Sequence, residues 1–186
     1  GFPSFFDQAL QVNGALASEC SRIIQRSGPF DLIHNHDWLT SFAGIALKNA
    51  HKLALLTTIH ATERGRGRGY LRSDLSRRIN DAEWRLTYEA WHVICCAHHM
   101  ARETHSYFGT PLDKIDVIPN GVDPSRFQAL DRRNLSGFRA KYASDDEQIV
   151  LYVGRIVQEK GAEVLVRSVP SVLSQVPQAW FVVAGM

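Results

Sequence analysis

The stretch IVLYVGRIVQEKG at residues 149–161 joins an apolar run to a turn and then to the start of a helical pattern. The apolar residues before Gly154 predict a buried strand, and Gly154 allows the backbone to turn sharply. Arg155 and Lys160 then place two cations at the carboxyl end of that strand. Open α/β sheets bind ligands at this end, beside the N-termini of helices. The stretch therefore predicts a phosphate-binding turn in an α/β fold.

The composition is typical of a chain with a real hydrophobic core. It has 186 residues, 45% of them hydrophobic, and a formal net charge of +2, which is too close to neutrality to indicate nucleic acid as a partner. The longest apolar runs are too short to span a bilayer, and the first 20 residues lack the pattern of a signal peptide. We therefore expect a cytoplasmic protein whose partners include neither nucleic acid nor a membrane.

The cysteines indicate neither a disulfide framework nor a zinc site. Cys20, Cys95 and Cys96 are odd in number, and adjacent residues of a strand point to opposite faces. We expect all three to be small buried residues.

Predicted strands and helices alternate along the chain. An amphipathic helix at 4–27 begins with a capping box of Ser4 and Asp7 and ends before Gly28 and Pro29. Strand patterns follow at 31–34, 53–59, 93–96, 115–118, 149–153 and 179–184. Helical patterns between them cover 38–50, 73–91, 97–108 and 161–176. This alternation predicts an α/β fold with a Rossmann-like parallel sheet and flanking helices.

A shift in composition marks a domain boundary near residue 120. Residues 120–124 read Asn-Gly-Val-Asp-Pro, which is turn chemistry, and polar clusters continue to Gln148. We therefore predict a partial N-terminal Rossmann-like domain at 1–120 and a linker with a short helix at 121–147. Residues 148–186 begin a second, truncated Rossmann-like domain.

Two predicted strands end in segments that contain histidine. His34, His36 and Asp37 follow the first strand, and His60 follows the second. Because the carboxyl ends of parallel strands meet at one edge, we expect Asp37 and His60 to face a common crevice that suits a carbohydrate or a nucleotide. In the alternative interpretation the histidines are ordinary polar residues and Asp37 caps the next helix. A metal site is not predicted, since His-x-His finds no third ligand at a recognisable spacing.

The segment RGRGRG at residues 64–69 predicts a basic, flexible loop. It is either a solvated mobile loop or a loop that covers a substrate. Nucleic acid binding is disfavoured, because Tyr70 is the one aromatic residue beside it and acidic neighbours dilute the charge.

Arg155 and Lys160 suit the diphosphate of a departing nucleotide. Arginine offers a planar fork of donors and lysine a compact charge, so together they neutralise a leaving phosphate. The alternative is a pair of surface cations, although cations at a helix start oppose its dipole unless an anion compensates. A nucleophile elbow, a Walker loop and a Gly-x-Gly-x-x-Gly fingerprint after a strand are absent from the sequence. The pattern favours a site that neutralises charge.

Four ordered motifs resemble those of the GT-B glycosyltransferases of family 4. They are His-x-His-Asp-Trp at 34–38, Thr-Ile-His-Ala-Thr-Glu-Arg-Gly-Arg at 58–66, Ile-Pro-Asn-Gly-Val-Asp at 118–123 and Gly-Arg-x4-Lys-Gly at 154–161. The basic loop and the later Glu83-Trp84 pair are similar to glycogen synthase-like and maltose-1-phosphate synthase-like members. The resemblance covers essentially the whole chain.

The resemblance implies a retaining hexosyltransferase. Its members transfer glucose from ADP-glucose or UDP-glucose to an α-glucan or a glucose-phosphate acceptor, in a cleft between two Rossmann-like domains, without a metal or another cofactor. By this resemblance Gly154, Arg155 and Lys160 bind the donor diphosphate, and Arg155 and Lys160 stabilise the departing nucleotide. Asp37 and His60 hold the transferred glucose, which completes the predicted catalytic set.

The chain departs from the family pattern at both ends. The family's first strand and glycine-rich loop would precede Gly1, and its acidic Glu-x7-Glu motif would follow Met186. We therefore expect a fragment that is inactive by itself. The alternative is a truncated, non-catalytic module that binds glucan or a partner and self-associates through exposed sheet edges. A GT-B epimerase ranks third, because no pair of acid and base carboxylates is evident.

Overall fold

The structure is a computed structural model and describes residues 4–127 and 135–186. Residues 128–134 of the predicted linker thus lie outside the described residues. The chain divides into two compact units, Gly1–Gly121 and Val122–Met186, each with its own parallel sheet. None of the helices in the described part combines the length and the apolar character that crossing a membrane requires.

The first unit contains a four-stranded parallel sheet in the order β1-β2-β3-β4. Its strands are β1 Leu32–His36, β2 Ala54–Ile59, β3 His92–Cys95 and β4 Ile115–Val117. All lie within two residues of the predicted strands. The largest difference is at β1, which runs on to His36. His34 therefore lies within the strand, opposite Leu56, and not at the sheet edge where it was expected.

Helices cover one face of this sheet. The unit contains α1 Phe5–Ser27, α2 Ser41–His51, α3 Glu63–Arg66, α4 Asp74–Glu89 and α5 His98–Phe108. The main core joins Ile45 of α2, Leu86 of α4 and Ala101 of α5 to Leu55 and Val93 of the sheet. The alternate residues of the strands point to the opposite face, where Thr58 is buried and the others are exposed or half-buried, among them Leu32, His34, Leu56, Ile94 and Asp116.

Helix α1 begins and ends as predicted, and its predicted apolar positions are buried or half-buried except Leu10; they are Phe6, Leu10, Leu16, Cys20, Ile23 and Ile24. Its N-cap Ser4 accepts a hydrogen bond from the Asp7 amide, which is one half of the predicted capping box, whereas the Asp7 carboxylate accepts from the Ser4 hydroxyl and not from the Ser4 amide. Leu10, expected on the buried stripe, is 38% exposed, whereas Asn13 is 3% exposed. The Asn13 side chain donates to the carbonyls of Ala9 and Leu39, both at 2.7 Å. It also accepts from the amide of Ala43 at 2.8 Å. These three hydrogen bonds allow a polar residue to take a core position.

The segment predicted as a flexible basic loop contains an ordered helix. Residues Glu63–Arg66 form α3, whose N-cap Thr62 accepts from the Gly65 amide at 2.9 Å. The guanidinium of Arg64 lies 5.2 Å from the centroid of the Tyr107 ring on α5. The prediction of a loop was therefore wrong for these residues, because capping and a cation–π contact order them.

The second unit has a two-stranded parallel sheet of β5 Gln148–Val153 and β6 Ala179–Ala184. Its helices are α6 Ser136–Arg139 and α7 Ala162–Gln175, and α7 contains Pro170. One face of the sheet is apolar and open. Leu151 is 61% exposed, Val153 74% and Trp180 49%. This face differs from that of a doubly wound sheet, whose two faces are both covered.

Candidate functional site

The carboxyl ends of β1 and β2 bring Asp37 and His60 together. The Asp37 carboxylate accepts a hydrogen bond from the His60 backbone amide, with Oδ1 and N 2.8 Å apart. His36 joins them. Its ring stacks on that of His60 at 5.3 Å between centroids, and its Nδ1 lies 3.0 Å from Nε2 of His60. The three side chains thus form one polar cluster where the sequence predicted a crevice for a sugar or nucleotide.

Asp37 has a strained backbone. Its φ of 54° and ψ of −175° fall in a region that glycine occupies almost alone. The amide of Asp37 donates to the Thr58 carbonyl at 3.0 Å, and its carbonyl accepts from the Asn35 side chain at 2.8 Å. The Asp37 side chain makes no capping hydrogen bond to the turn at Trp38–Thr40. The alternative interpretation, in which Asp37 is merely a helix cap, is therefore wrong.

Two residues missed by the sequence reasoning complete this edge of the sheet. The Cys96 thiol, which follows β3, lies 3.5 Å from Nδ1 of His60 and 3.6 Å from Oδ1 of Asn120, which follows β4. All three cysteines are free, but only Cys95 is buried. The prediction that Cys20 and Cys96 are buried was wrong. Cys96 and Asn120 each follow a strand of the parallel sheet, and this position was the signal in the sequence that could have identified them.

His34 lies beside the cluster on the outer face of β1. Its Nε2 is 2.8 Å from the Thr58 hydroxyl, and its ring centroid is 4.4 Å from that of His36. Desolvation and then the neighbouring His36 and His60 lower the pKa of His34 below its usual 6.5. These surroundings favour the neutral form of His34. Within the described residues no group of three His, Cys, Asp or Glu side chains could hold a metal ion.

A buried carboxyl group supports the segment that follows His60. Glu83 of α4 is 1% exposed, and its two oxygens lie 2.9 and 3.0 Å from the backbone amide of Glu63. Burial is the main cause that raises the pKa of Glu83 to about 8. Sequence reasoning noted Glu83 only within a motif, since a glutamate on a helix gives no sign that it will be buried.

In the second unit, the turn at 154–161 presents its two cations to solvent. Arg155 and Lys160 are both exposed, and the Tyr152 hydroxyl donates to the Arg155 carbonyl at 2.9 Å, with the Lys160 carbonyl at 3.4 Å. Tyr152 thereby holds the two ends of the turn together. Helix α7 starts after Gly161, which has φ 74° and provides no side-chain cap. The first amides of α7 therefore lack a side-chain cap and can donate hydrogen bonds to an anion.

An acidic side chain pairs with the first of these two cations. Arg155 pairs with Glu159, with Nη2 and Oε1 3.0 Å apart, and 66% of the Arg155 side chain is exposed. A shallow cavity of about 230 Å³ adjoins the turn and is lined by Ile156, Val157, Gln158, Ala162 and Glu163. Exposed ion pairs of this kind are weak, so Glu159 holds Arg155 only loosely.

Solved structures with a similar fold include a glycosyltransferase from Rickettsia africae and a UDP-GlcNAc 2-epimerase from Methanocaldococcus jannaschii. Sucrose-phosphate synthase from Thermosynechococcus elongatus aligns with a TM-score of 0.76 at 20% identity, over 100% of this chain and 44% of that one. Anabaena HepE in complex with UDP and glucose aligns with a TM-score of 0.67 at 16% identity, over 89% and 43%. The predicted α/β fold of the GT-B type is confirmed.

Relatives by sequence have several names. An uncharacterized glycosyltransferase of Methanocaldococcus jannaschii is 40% identical over 84% of this chain and 40% of its own length. A glycogen synthase of Mycobacterium tuberculosis is 34% identical over 86% and 36%. A D-inositol 3-phosphate glycosyltransferase of Nocardia farcinica is 30% identical over 82% and 34%. The chain thus spans about 40% or less of the length of these relatives.

Two family profiles match the chain, one in each unit. Residues 137–186 match Glycosyl transferases group 1. Residues 1–126 match Glycosyltransferase Family 4, and this match covers more than half of the sequence. The resemblance seen in the four motifs is therefore confirmed, and the chain belongs to glycosyltransferase family 4.

Proposed function

We propose that this chain carries groups for both the sugar and the diphosphate of a nucleotide-sugar donor in a retaining glycosyltransferase. The whole enzyme would transfer glucose from ADP-glucose or UDP-glucose to an α-glucan or a glucose-phosphate acceptor. One observation carries the proposal, namely the exposure of Arg155 and Lys160 beside the uncapped first turn of α7. The glycogen synthase relative and the HepE complex with UDP and glucose support the choice of donor.

The proposed roles follow from the charge that develops during transfer. When the bond between the sugar and the diphosphate breaks, negative charge accumulates on the departing phosphate oxygen. Arg155, Lys160 and the α7 amides would neutralise that charge. Asp37 has a second carboxylate oxygen for a sugar hydroxyl, since one oxygen already binds the His60 amide. His60 would help to orient the sugar, so positioning supplies much of the catalysis.

The diphosphate role is tested by calorimetry with ADP-glucose and UDP-glucose on the wild-type chain and on Arg155→Ala. We expect binding that weakens about 10- to 100-fold in the variant, as for the loss of a charge-assisted hydrogen bond. Arg167→Ala is the matched control, because Arg167 is also an exposed arginine paired with a glutamate four residues away, Glu163. Equal affinities of the two variants would contradict the role of Arg155.

The chain by itself is proposed to be inactive in transfer. A donor-hydrolysis and transfer assay with glucan and glucose phosphate checks this, and clear turnover would contradict it. The two assays are independent, since nucleotide-sugar binding does not require turnover.

A second candidate is a non-catalytic module that binds glucan or a second copy of itself. The open apolar face of β5 and β6 favours it, since Leu151 and Val153 are largely exposed. Glucan binding without nucleotide-sugar binding would support this candidate. Sedimentation velocity over a range of concentrations tests the self-association.

A further inference from the structure

The carboxyl ends of the four strands in the first unit carry a continuous series of contacts. His36 ends β1, and His60, Cys96 and Asn120 follow β2, β3 and β4. The successive distances are 3.0 Å from His36 Nδ1 to His60 Nε2, 3.5 Å from His60 Nδ1 to Cys96 Sγ, and 3.6 Å from Cys96 Sγ to Asn120 Oδ1. Each contact is within the reach of a hydrogen bond, the last two through sulfur.

The chemistry of the last acceptor sets the direction of the whole series. The Asn120 oxygen can only accept, and a thiol has a single hydrogen, so the contact between them is a hydrogen bond only if Cys96 donates. The sulfur must then accept from His60, which places a proton on Nδ1 of that ring. Neutral His60 consequently has a lone pair on Nε2 and accepts from Nδ1–H of His36.

The opposite direction satisfies one contact fewer. If the thiol hydrogen pointed to His60, the Asn120 oxygen would face a sulfur lone pair with no hydrogen between them. The two imidazoles would still form one hydrogen bond, but Nε2–H of His60 would donate it to Nδ1 of His36. Polar groups in folded proteins favour the arrangement that satisfies more partners. The contacts therefore favour donation from His36 through His60 and Cys96 to Asn120.

We propose that Cys96 and Asn120 are positioning residues that fix the tautomer of His60 and, through it, leave a lone pair on Nε2 of His36 for a ligand hydroxyl. His36 is exposed, so a ligand can reach it. A ligand that binds this lone pair must donate a hydrogen bond to it, and sugars carry many hydroxyl groups that can do so. The sugar as ligand rests on the proposed function, but the tautomers do not.

The backbone of His60 is fixed independently of its ring. Its amide donates to Asp37 at 2.8 Å, whereas its ring contacts His36 and Cys96. Removal of the Cys96 thiol therefore changes the ring's hydrogen bonding and leaves the backbone hydrogen bond in place. This separation allows the tautomer to be tested without loss of the local fold.

The test is nitrogen NMR of the imidazole rings in the ligand-free wild-type chain, near pH 8, where histidine is ordinarily neutral. Couplings between ring nitrogens and carbon-bound protons identify which nitrogen is protonated. We expect Nδ1–H tautomers at both His36 and His60. A proton on Nε2 of His60 in the wild type would overturn the proposal, whatever the variants show.

Variants then test which residues set the tautomer. Cys96→Ala should give a mixture of His60 tautomers, and Cys96→Ser should restore the wild-type state, because a hydroxyl also both donates and accepts. Asn120→Ala should also give a mixture, whereas Asn120→Asp keeps an acceptor oxygen and should retain the wild-type tautomer. An unchanged tautomer in both alanine variants would overturn the positioning roles.

A titration with glucose and UDP-glucose tests the ligand separately. We expect Cys96→Ala to weaken sugar binding up to about tenfold, the effect of one hydrogen bond, and Cys96→Ser to restore it. Wild-type affinity in Cys96→Ala would overturn the link between the tautomer and the ligand. If the wild-type chain binds no sugar while the NMR result holds, the proposed function fails and the tautomer assignment stands.

Discussion

Single residues at the strand ends show how this site is held. Asp37 has a backbone conformation that residues other than glycine avoid. Hydrogen bonds to Thr58, Asn35 and His60 hold it in that conformation. Such strain is common where a protein fixes a functional side chain. The sequence identified Asp37 and His60 as candidates because both follow strands. It could not reveal their mutual contact, since that depends on the pairing of β1 with β2.

The strain at Asp37 predicts an unusual order of stability. Asp37→Gly should be more stable than Asp37→Ala by about 1–2 kcal/mol, because glycine adopts this backbone conformation freely. The free energy of unfolding in urea measures the difference. At Asp81, within helix α4, the order should reverse, since alanine favours helices by about 1 kcal/mol over glycine. Equal stabilities of the two Asp37 variants would show that the backbone is relaxed.

The buried Glu83 predicts a stability that depends on pH. Its pKa is raised from an ordinary 4.5 to about 8, so between these values the folded state binds a proton that the unfolded state has lost. Stability therefore falls by about 1.4 kcal/mol per pH unit as pH rises through this window. Glu83→Gln, which keeps an acceptor for the Glu63 amide, should remove this slope.

Urea unfolding at several pH values between 5 and 8 tests the Glu83 prediction. Glu19→Gln is the control, because Glu19 is exposed on α1 and should follow the wild-type curve. Parallel curves for the wild type and Glu83→Gln would mean that Glu83 titrates outside this window.

At the scale of elements, periodicity predicted the strands and the long helices within a few residues. Apolar runs and their spacing are local, so the sequence displays them directly. The exceptions depended on distant contacts. Asn13 takes a core position because Leu39 and Ala43 bind it, and α3 forms in the basic segment because Thr62, Glu83 and Tyr107 support it. The positions of Cys96 and Asn120 after predicted strands were visible in the sequence, but the contact between their side chains was not.

The ends of β5 and β6 require glycine at position 185. A Cβ atom there would lie 1.8 Å from the Gly154 carbonyl oxygen, too close for any side chain. Gly185→Ala should therefore displace the turn that carries Arg155 and destabilise the second unit by about 1–3 kcal/mol, the usual range for a damaging substitution. Gly137→Ala is the control, because open space surrounds that position in α6. Equal unfolding midpoints for the two variants would contradict the close approach.

At the scale of the whole molecule, the two units differ in how well they cover their sheets. The sequence predicted a boundary near residue 120, and the described chain divides after Gly121. The coverage of the sheets could not be predicted, because an apolar strand has the same sequence pattern whether or not a helix covers it. The first unit buries Leu55 and Val93 completely, whereas the second leaves Leu151 and Val153 open.

This contrast predicts unequal costs for the same substitution. Leu55→Ala should cost about 2–5 kcal/mol, because Leu55 is 0% exposed and its loss leaves a cavity. Leu151→Ala should cost less than about 1 kcal/mol, since Leu151 is 61% exposed. Fluorescence and circular dichroism during urea unfolding measure both. A large cost at Leu151 would show that something covers this face, such as a second copy of the chain.

The strand order of the first unit affects how the chain folds during synthesis. Because β1 to β4 pair in the order in which they occur in the sequence, each new strand meets its neighbour as soon as it leaves the ribosome. Among β1 to β4 of the described residues, no strand has to wait for a later one to be inserted between two earlier ones, and chains are made at about 5–20 residues per second. These four strands can thus pair one after another, and the polar cluster at the strand ends is completed only when Asn120 emerges.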